Sequence, residues 1–276
     1  MKSDRRSILT AMGGLGGLSL IAPAVAAADA AARKGAAPSQ ARTYVLVHGA
    51  WHGGWCWRDT AAILRKAGHV AHMPTLSGLG ERSHLGVDIV NLDLHIKDVV
   101  NLITFEELTD IVLVGHSYAG MVITGVADRL ADRIRSIVYL DAFVPQKDGD
   151  SVRKLEGPSV GDATAAMGKD GWSVAAPSAA SLGVKPENRA RVDRLCTRQP
   201  LATMLQELQL TGAHKSIRDR HFVYATGWGS PAGTTPFRRY YEQLRGDPAW
   251  KVQRVDHGHD MMVDEPRATA ELLMRL

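Results

Sequence analysis

The stretch from Ile111 to Val122, IVLVGHSYAGMV, constrains the fold more than any other part of the chain. Ile111-Val112-Leu113-Val114 reads as a strand buried on both faces, the kind found inside a parallel sheet. The residues after it carry an apolar helical pattern, so a helix is predicted over 118–130, with the serine in the turn between. A turn this short tolerates only small residues beside its central position. Gly115, Ala119 and Gly120 supply them. This is a nucleophile elbow, G-x-S-x-G with alanine at the second glycine. It holds Ser117 out of the sheet, at a helix N-terminus that favours developing negative charge.

The remaining pattern places that turn in a larger frame. TYVLVHGA (43–50) predicts another buried strand, and residues 55–69 a helix stopped by Gly68. A short strand closes at Pro74, and Leu92, Ile96, Val99 and Ile103 mark one face of a helix. Strands follow at 134–143, 220–226 and 250–256, with a helix near 236–245 and a terminal helix from about Pro266. Alternation of this kind predicts an α/β domain over 42–276, a mostly parallel sheet with helices on both faces. Residues 145–215 break the rhythm. They show no convincing strand and carry Pro158, Pro177, Pro186 and Pro200 among helical patches such as 201–210, so an inserted helical cap is expected there.

Residues 1–26 have the form of a twin-arginine signal peptide. Arg5-Arg6 precede a weakly apolar, glycine-interrupted middle, and Ala24 and Ala26 have cleavage-site spacing. That segment lacks the ~20 continuous apolar residues of a spanning helix, so no stable membrane insertion is expected after its removal. An Ala/Gly/Pro/Ser linker occupies 27–41, and the mature protein is expected to be periplasmic or secreted. The formal charge is +4. Lys2, Arg5 and Arg6 against Asp4 account for about half of that excess, and no Lys/Arg run of the kind that tracks phosphates remains, which argues against nucleic-acid binding. Cys56 and Cys196 lie far apart in the chain. An oxidising compartment permits their pairing, but Cys56, between Trp55 and Trp57, reads as a buried free thiol.

A serine hydroxyl needs a base, and in this chain order the base follows the last strand. His257 and His259 are available there, with His259, after Gly258 and before a helix, the better placed. An H-x-H metal pair lacks a third ligand nearby, so no metal is expected. The loop 224–237, the commonest place for the orienting acid, contains no Asp or Glu. The end of the strand after the nucleophile helix offers Asp141; Asp247 or another acid is the alternative. HGAWHGGW (48–55) matches half of an oxyanion hole, with the N–H groups of Ala50 and Tyr118 as donors. His48 and His52 are then structural. Trp51, Met121, Met261 and cap residues such as Trp172 or Met204 are candidates to line a large apolar pocket, each with core packing as the alternative.

YVLVHGAWHGGWCW, PTLSGLGERSHL, IVLVGHSYAG, YLDAFVP and GHDMMVDEP resemble segments of the α/β-hydrolases. Within them they resemble the branch of plant methylesterases and hydroxynitrile lyases and bacterial pyrethroid-type carboxylesterases. The resemblance implies a cofactor-free serine carboxylesterase acting on bulky hydrophobic esters, with Ser117 as nucleophile and His259 as base. Asp141 rests on the strand-end argument instead. The lyase members carry a threonine and a lysine where this chain has Gly49 and Asp260, so ester hydrolysis is expected over cyanohydrin cleavage. Lactones and amides share the mechanism, and a non-catalytic small-molecule receptor on the same fold is the rival reading.

Overall fold

The strand Thr43–Val47 (β1) is fully buried at four of its five positions, as an interior parallel strand requires. In the computed structural model, which describes residues 41–86, 88–156, 168–229 and 235–276, helix α1 (Arg58–Lys66) and strand β2 (Val70–His72) follow. Next come α2 (Leu92–Phe105), β3 (Ile111–His116), α3 (Ala119–Arg129) and β4 (Ile134–Leu140). The chain then crosses α4 (Val152–Glu156), β5 (Ser173–Val174), α5 (Pro186–Leu195), β6 (Gln199–Pro200) and α6 (Ala202–Leu205). It finishes through β7 (Asp219–Ala225), α7 (Arg238–Leu244), β8 (Lys251–Val255), α8 (Met261–Asp264) and α9 (Pro266–Arg275). The expected signal peptide, and the linker up to residue 40, lie outside the described residues.

The main sheet has the order β2-β1-β3-β4-β7-β8, and every ladder in it is parallel. Side chains alternate between two cores. Val45 and Val47 join α2, α3 and α7 on one face, while Tyr44 and Leu46 join α1 and α9 on the other. Pro266 opens α9 as expected, and Asn91, which the sequence analysis does not single out, caps α2 by accepting a bond from Leu94 N at 2.9 Å. The neighbours of β1, β2 and β3, lie on opposite sides of it, so the chain reverses direction between β1 and β3. A crevice forms at the carboxyl ends of strands at such a switch point. Val47 pairs with Gly115, and Gly115 with Tyr139, which brings the ends of three strands level there.

The cap differs from expectation. It contains a two-stranded antiparallel ribbon, β5 with β6, besides its helices. The apolar run 201–210 forms only the four-residue α6, because the chain turns extended at Gln206 and buries Leu208 against the main core. Two-residue strands, one ending in proline, carry no readable alternation. Both cysteines are free, Cys56 buried and Cys196 half-buried. No helix among the described residues is long and apolar enough to cross a membrane.

Candidate active site

Ser117 follows directly on β3 with φ 55°, in the left-handed region that side chains avoid unless the surroundings enforce it. Enforcement comes from β4: Ser117 N donates to Leu140 O at 3.3 Å, and Ser117 O accepts from Phe143 N at 3.1 Å. The helix start lies so close to this segment that a Cβ on Gly120 would sit 1.8 Å from Phe143 O. Alanine is therefore tolerated at 119, while the next position requires glycine.

Asp141 stands one residue beyond β4, also left-handed at φ 45° and without solvent exposure. Its Oδ1 accepts from Ala225 N at 3.1 Å. Its Oδ2 accepts from His259 Nδ1 at 2.7 Å and from Trp228 Nε1 at 2.8 Å. With Nδ1 engaged, Nε2 is the ring nitrogen of His259 left for the crevice. The imidazole packs against the Trp228 ring (centroids 4.2 Å apart) and that of Phe237 (5.6 Å), which also meet each other at 6.1 Å. Its backbone is held from two sides, by His259 N donating to Leu182 O and by His116 Nε2 donating to His259 O, both at 3.0 Å. The alternatives lie elsewhere. Asp247 is exposed and caps its own turn, and the His257 carbonyl accepts from Gly227 N.

The loop after β1 is braced from beneath. His48 donates through Nδ1 to Gly49 O and accepts at Nε2 from Leu76 N, and burial pushes its pKa down to about 3, which suits that neutral tautomer. His52 donates to Ala50 O at 2.7 Å and to Asp260 Oδ2 at 3.0 Å. Burial alone would neutralise both partners. Their mutual attraction outweighs it, raising His52 well above the ordinary histidine value and holding Asp260 well below the carboxylate range. Trp51, at φ 64°, is tied from above by the cap. Its N–H donates to Gln199 Oε1 at 2.9 Å, its carbonyl accepts from Thr197 N at 2.8 Å, and its indole donates to Val174 O at 3.2 Å.

These elements enclose a cavity of about 270 Å³, at the small end for ligand sites rather than the large pocket expected. Ala50, Trp51, Ser117, Tyr118, Met204 and His259 line it, so five of the predicted site residues meet there with the cap methionine. Met121, Met261 and Trp172 do not. Met121 faces the core from the first turn of α3, Met261 packs in the opposite core, and Trp172 is 58% exposed on the cap. In their place the wall includes Phe143, Leu182, Trp228 and Phe237. Trp228 lies in the very loop that lacks an acid, where an indole has no sequence signature of a carboxylate partner.

His116, His259 and Asp260 bring one potential ligand atom each within 4.8 Å of one another. Those side chains are already committed: His116 to a carbonyl, His259 to Asp141, and Asp260 to His52.

Residues 44–272 match the alpha/beta hydrolase family, nearly all of the described chain. The chain belongs to that family. Among α/β-hydrolases it is 47% identical to the carbendazim hydrolyzing esterase of Nocardioides sp. (strain SG-4G), over 84% of this chain and 98% of that one. It is 33% identical to methylesterase 2 of Arabidopsis thaliana across 37% of this chain and 40% of the relative. The fold superimposes with a TM-score of 0.74 on an extracellular α/β-hydrolase from a Paenibacillus species, at 25% identity, covering 85% and 98% of the two chains. This α/β-hydrolase is an ester-hydrolysing enzyme.

Proposed function

We propose that the protein is a serine carboxylesterase working through an acyl-enzyme. The observation that carries this reading is the Asp141–His259 pair, 2.7 Å long and buried, opening onto the cavity that Ser117 also lines. Ser117 Oγ attacks the ester carbonyl while His259 Nε2 takes its proton. Asp141 fixes the ring and stabilises the imidazolium. The oxyanion meets the N–H groups of Ala50 and Tyr118, and the proton held by His259 passes to the departing alcohol. Water then repeats the sequence on the acyl-enzyme. The aromatic and aliphatic wall favours hydrophobic esters of modest size, and the 47% identical relative makes carbendazim itself a candidate substrate.

Lyase chemistry is disfavoured by the crowding at Gly49, where a Cβ would lie 2.9 Å from His116 Nδ1 and 3.0 Å from Ser117 Cβ. Asp260 is buried against His52 and does not line the cavity. The test is turnover of a p-nitrophenyl ester series and of carbendazim. Ser117→Ala is expected to abolish hydrolysis, and Asp141→Asn to lower kcat by about 10³- to 10⁴-fold through the wrong histidine tautomer. Turnover untouched by Ser117→Ala would overturn the mechanism in favour of a ligand receptor. A dead serine variant beside a fully active Asp141→Asn would remove Asp141 from it.

A further inference from the structure

Two consecutive residues in the loop after β2 each fix the tautomer of a buried histidine. Leu76 N donates to His48 Nε2 at 3.0 Å, which leaves the His48 proton on Nδ1, bonded to Gly49 O. Ser77 O can only accept, so it selects the opposite tautomer: His95 Nε2 donates to it at 2.8 Å. Ser77 is itself fixed on α2, its N–H and hydroxyl donating to the two oxygens of Asp98 at 2.7 and 2.9 Å. Burial pushes His95 down to about 4, so its Nδ1 is bare and accepts from the Tyr118 hydroxyl at 3.0 Å. The Thr203 hydroxyl of the cap is a second partner of that phenol, itself engaged by Gln199 Nε2 and Pro200 O at 2.6 Å each. Of the two large side chains beside Ser117, His116 turns to His259 O and Tyr118 turns to α2.

We propose that His95 is a positioning residue for ester hydrolysis: by accepting the Tyr118 hydroxyl it holds the Tyr118 peptide where its N–H meets the oxyanion. The loop after β2 thereby sets both halves of the oxyanion hole, with His48 beneath the Ala50 side and His95 behind the Tyr118 side. The inference rests on the esterase reading above. Fixing the phenol end of Tyr118 fixes the rotation of the whole residue, next to the left-handed turn at Ser117. Donors aimed at an oxyanion act through their placement, and an error of about 1 Å costs about 10²-fold in rate. His95 is not among the residues that line the cavity. Loss of its bond therefore acts on the transition state and leaves substrate binding nearly as it was.

The experiment measures kcat and KM for p-nitrophenyl butyrate and Ki for 2,2,2-trifluoroacetophenone. Ser117 Oγ bonds to the carbonyl carbon of that ketone, the hydroxyl proton passes to His259, and the carbonyl oxygen becomes an oxyanion in the same hole. His95→Leu is expected to lower kcat about tenfold or more and to weaken the ketone by a similar factor, with KM moving less than about threefold. His95→Asn, whose side-chain oxygen replaces Nδ1 as acceptor, is expected to recover most of both. Tyr118→Phe is expected to reproduce the leucine variant, with the double variant no worse than either single one, and it carries the test if His95→Leu misfolds. Native kcat and Ki in the folded fraction of these variants, beside a lowered melting temperature, would make the bond a brace only and overturn the inference while leaving ester hydrolysis standing. A raised KM at native kcat would overturn it as well. Hydrolysis unchanged by Ser117→Ala is a separate outcome that removes the esterase reading and the inference with it.

Discussion

One indole reaches the carboxylate from the loop after β7. Trp228 donates to the same Asp141 oxygen that receives His259, and its ring covers the imidazole. A hydrogen bond to a buried carboxylate contributes about 1.5–3 kcal/mol. Trp228→Phe keeps a ring against His259 and removes only the donor, so kcat is expected to fall about tenfold or more with KM nearly unmoved. Steady-state kinetics on one chromogenic ester decides it; a raised KM at native kcat would make Trp228 a pocket wall and nothing more. Asp141 itself was legible, because chain order and the acid-free loop left the end of β4 as the natural place. Trp228 was not. Its role depends on which strand lies beside β7, and that adjacency has no local trace in the residues around it.

At the scale of elements, the loop after β1 and the cap ribbon form a single hydrogen-bonded body. Gln199 is fully buried, accepts from Trp51 N, and donates to Thr203 Oγ1 at 2.6 Å. Gln199→Leu leaves the Trp51 N–H without that acceptor one residue from Ala50, and is expected to cost about 1–3 kcal/mol of stability. If the loop also positions the Ala50 donor, kcat drops by about tenfold beyond any loss of folded protein, measured on the fraction that remains folded. A melting temperature that falls while kcat holds would separate the brace from the chemistry. The helices of the main layer were readable from their apolar spacing and end signals. The ribbon was not, since strands of two residues are shorter than one period of any pattern worth reading.

Across the whole molecule, buried histidines couple stability to pH. Burial pushes His95 down to about 4 and His48 to about 3, and burial with the neighbouring His259 lowers His116 well below its ordinary value. These three are neutral in the folded protein, whereas the unfolded chain protonates them near pH 6.5. Below that pH the unfolded state binds protons that the folded state refuses, so each contributes a loss of about 1.4 kcal/mol per pH unit until its folded value is reached. His52 has the opposite sign: its contribution is complete below pH 6.5 and fades only as pH rises toward its elevated value. Asp260 contributes above about pH 4 and loses that contribution in stronger acid. Urea midpoints are therefore expected to fall steeply from pH 6.5 to 4.5, and a flat profile there would contradict the neutral assignments. The parallel sheet with helices on both faces followed from the alternation of buried strands and helices, whereas the strand order and the crevice beside β1 and β3 are set by long-range pairing that leaves no local pattern. The ion pair beneath the crevice leaves none either, because His52 and Asp260 are distant in sequence and only the docking of the last helices brings them together. The ties from Gln199, Thr197 and Val174 to Trp51 have one more consequence. A lid that lifted at the ribbon would release the loop that carries Ala50 and Trp51 as it opened, so exchange of this cap for a relative's would disturb the backbone beside Ser117 along with the wall of the cavity.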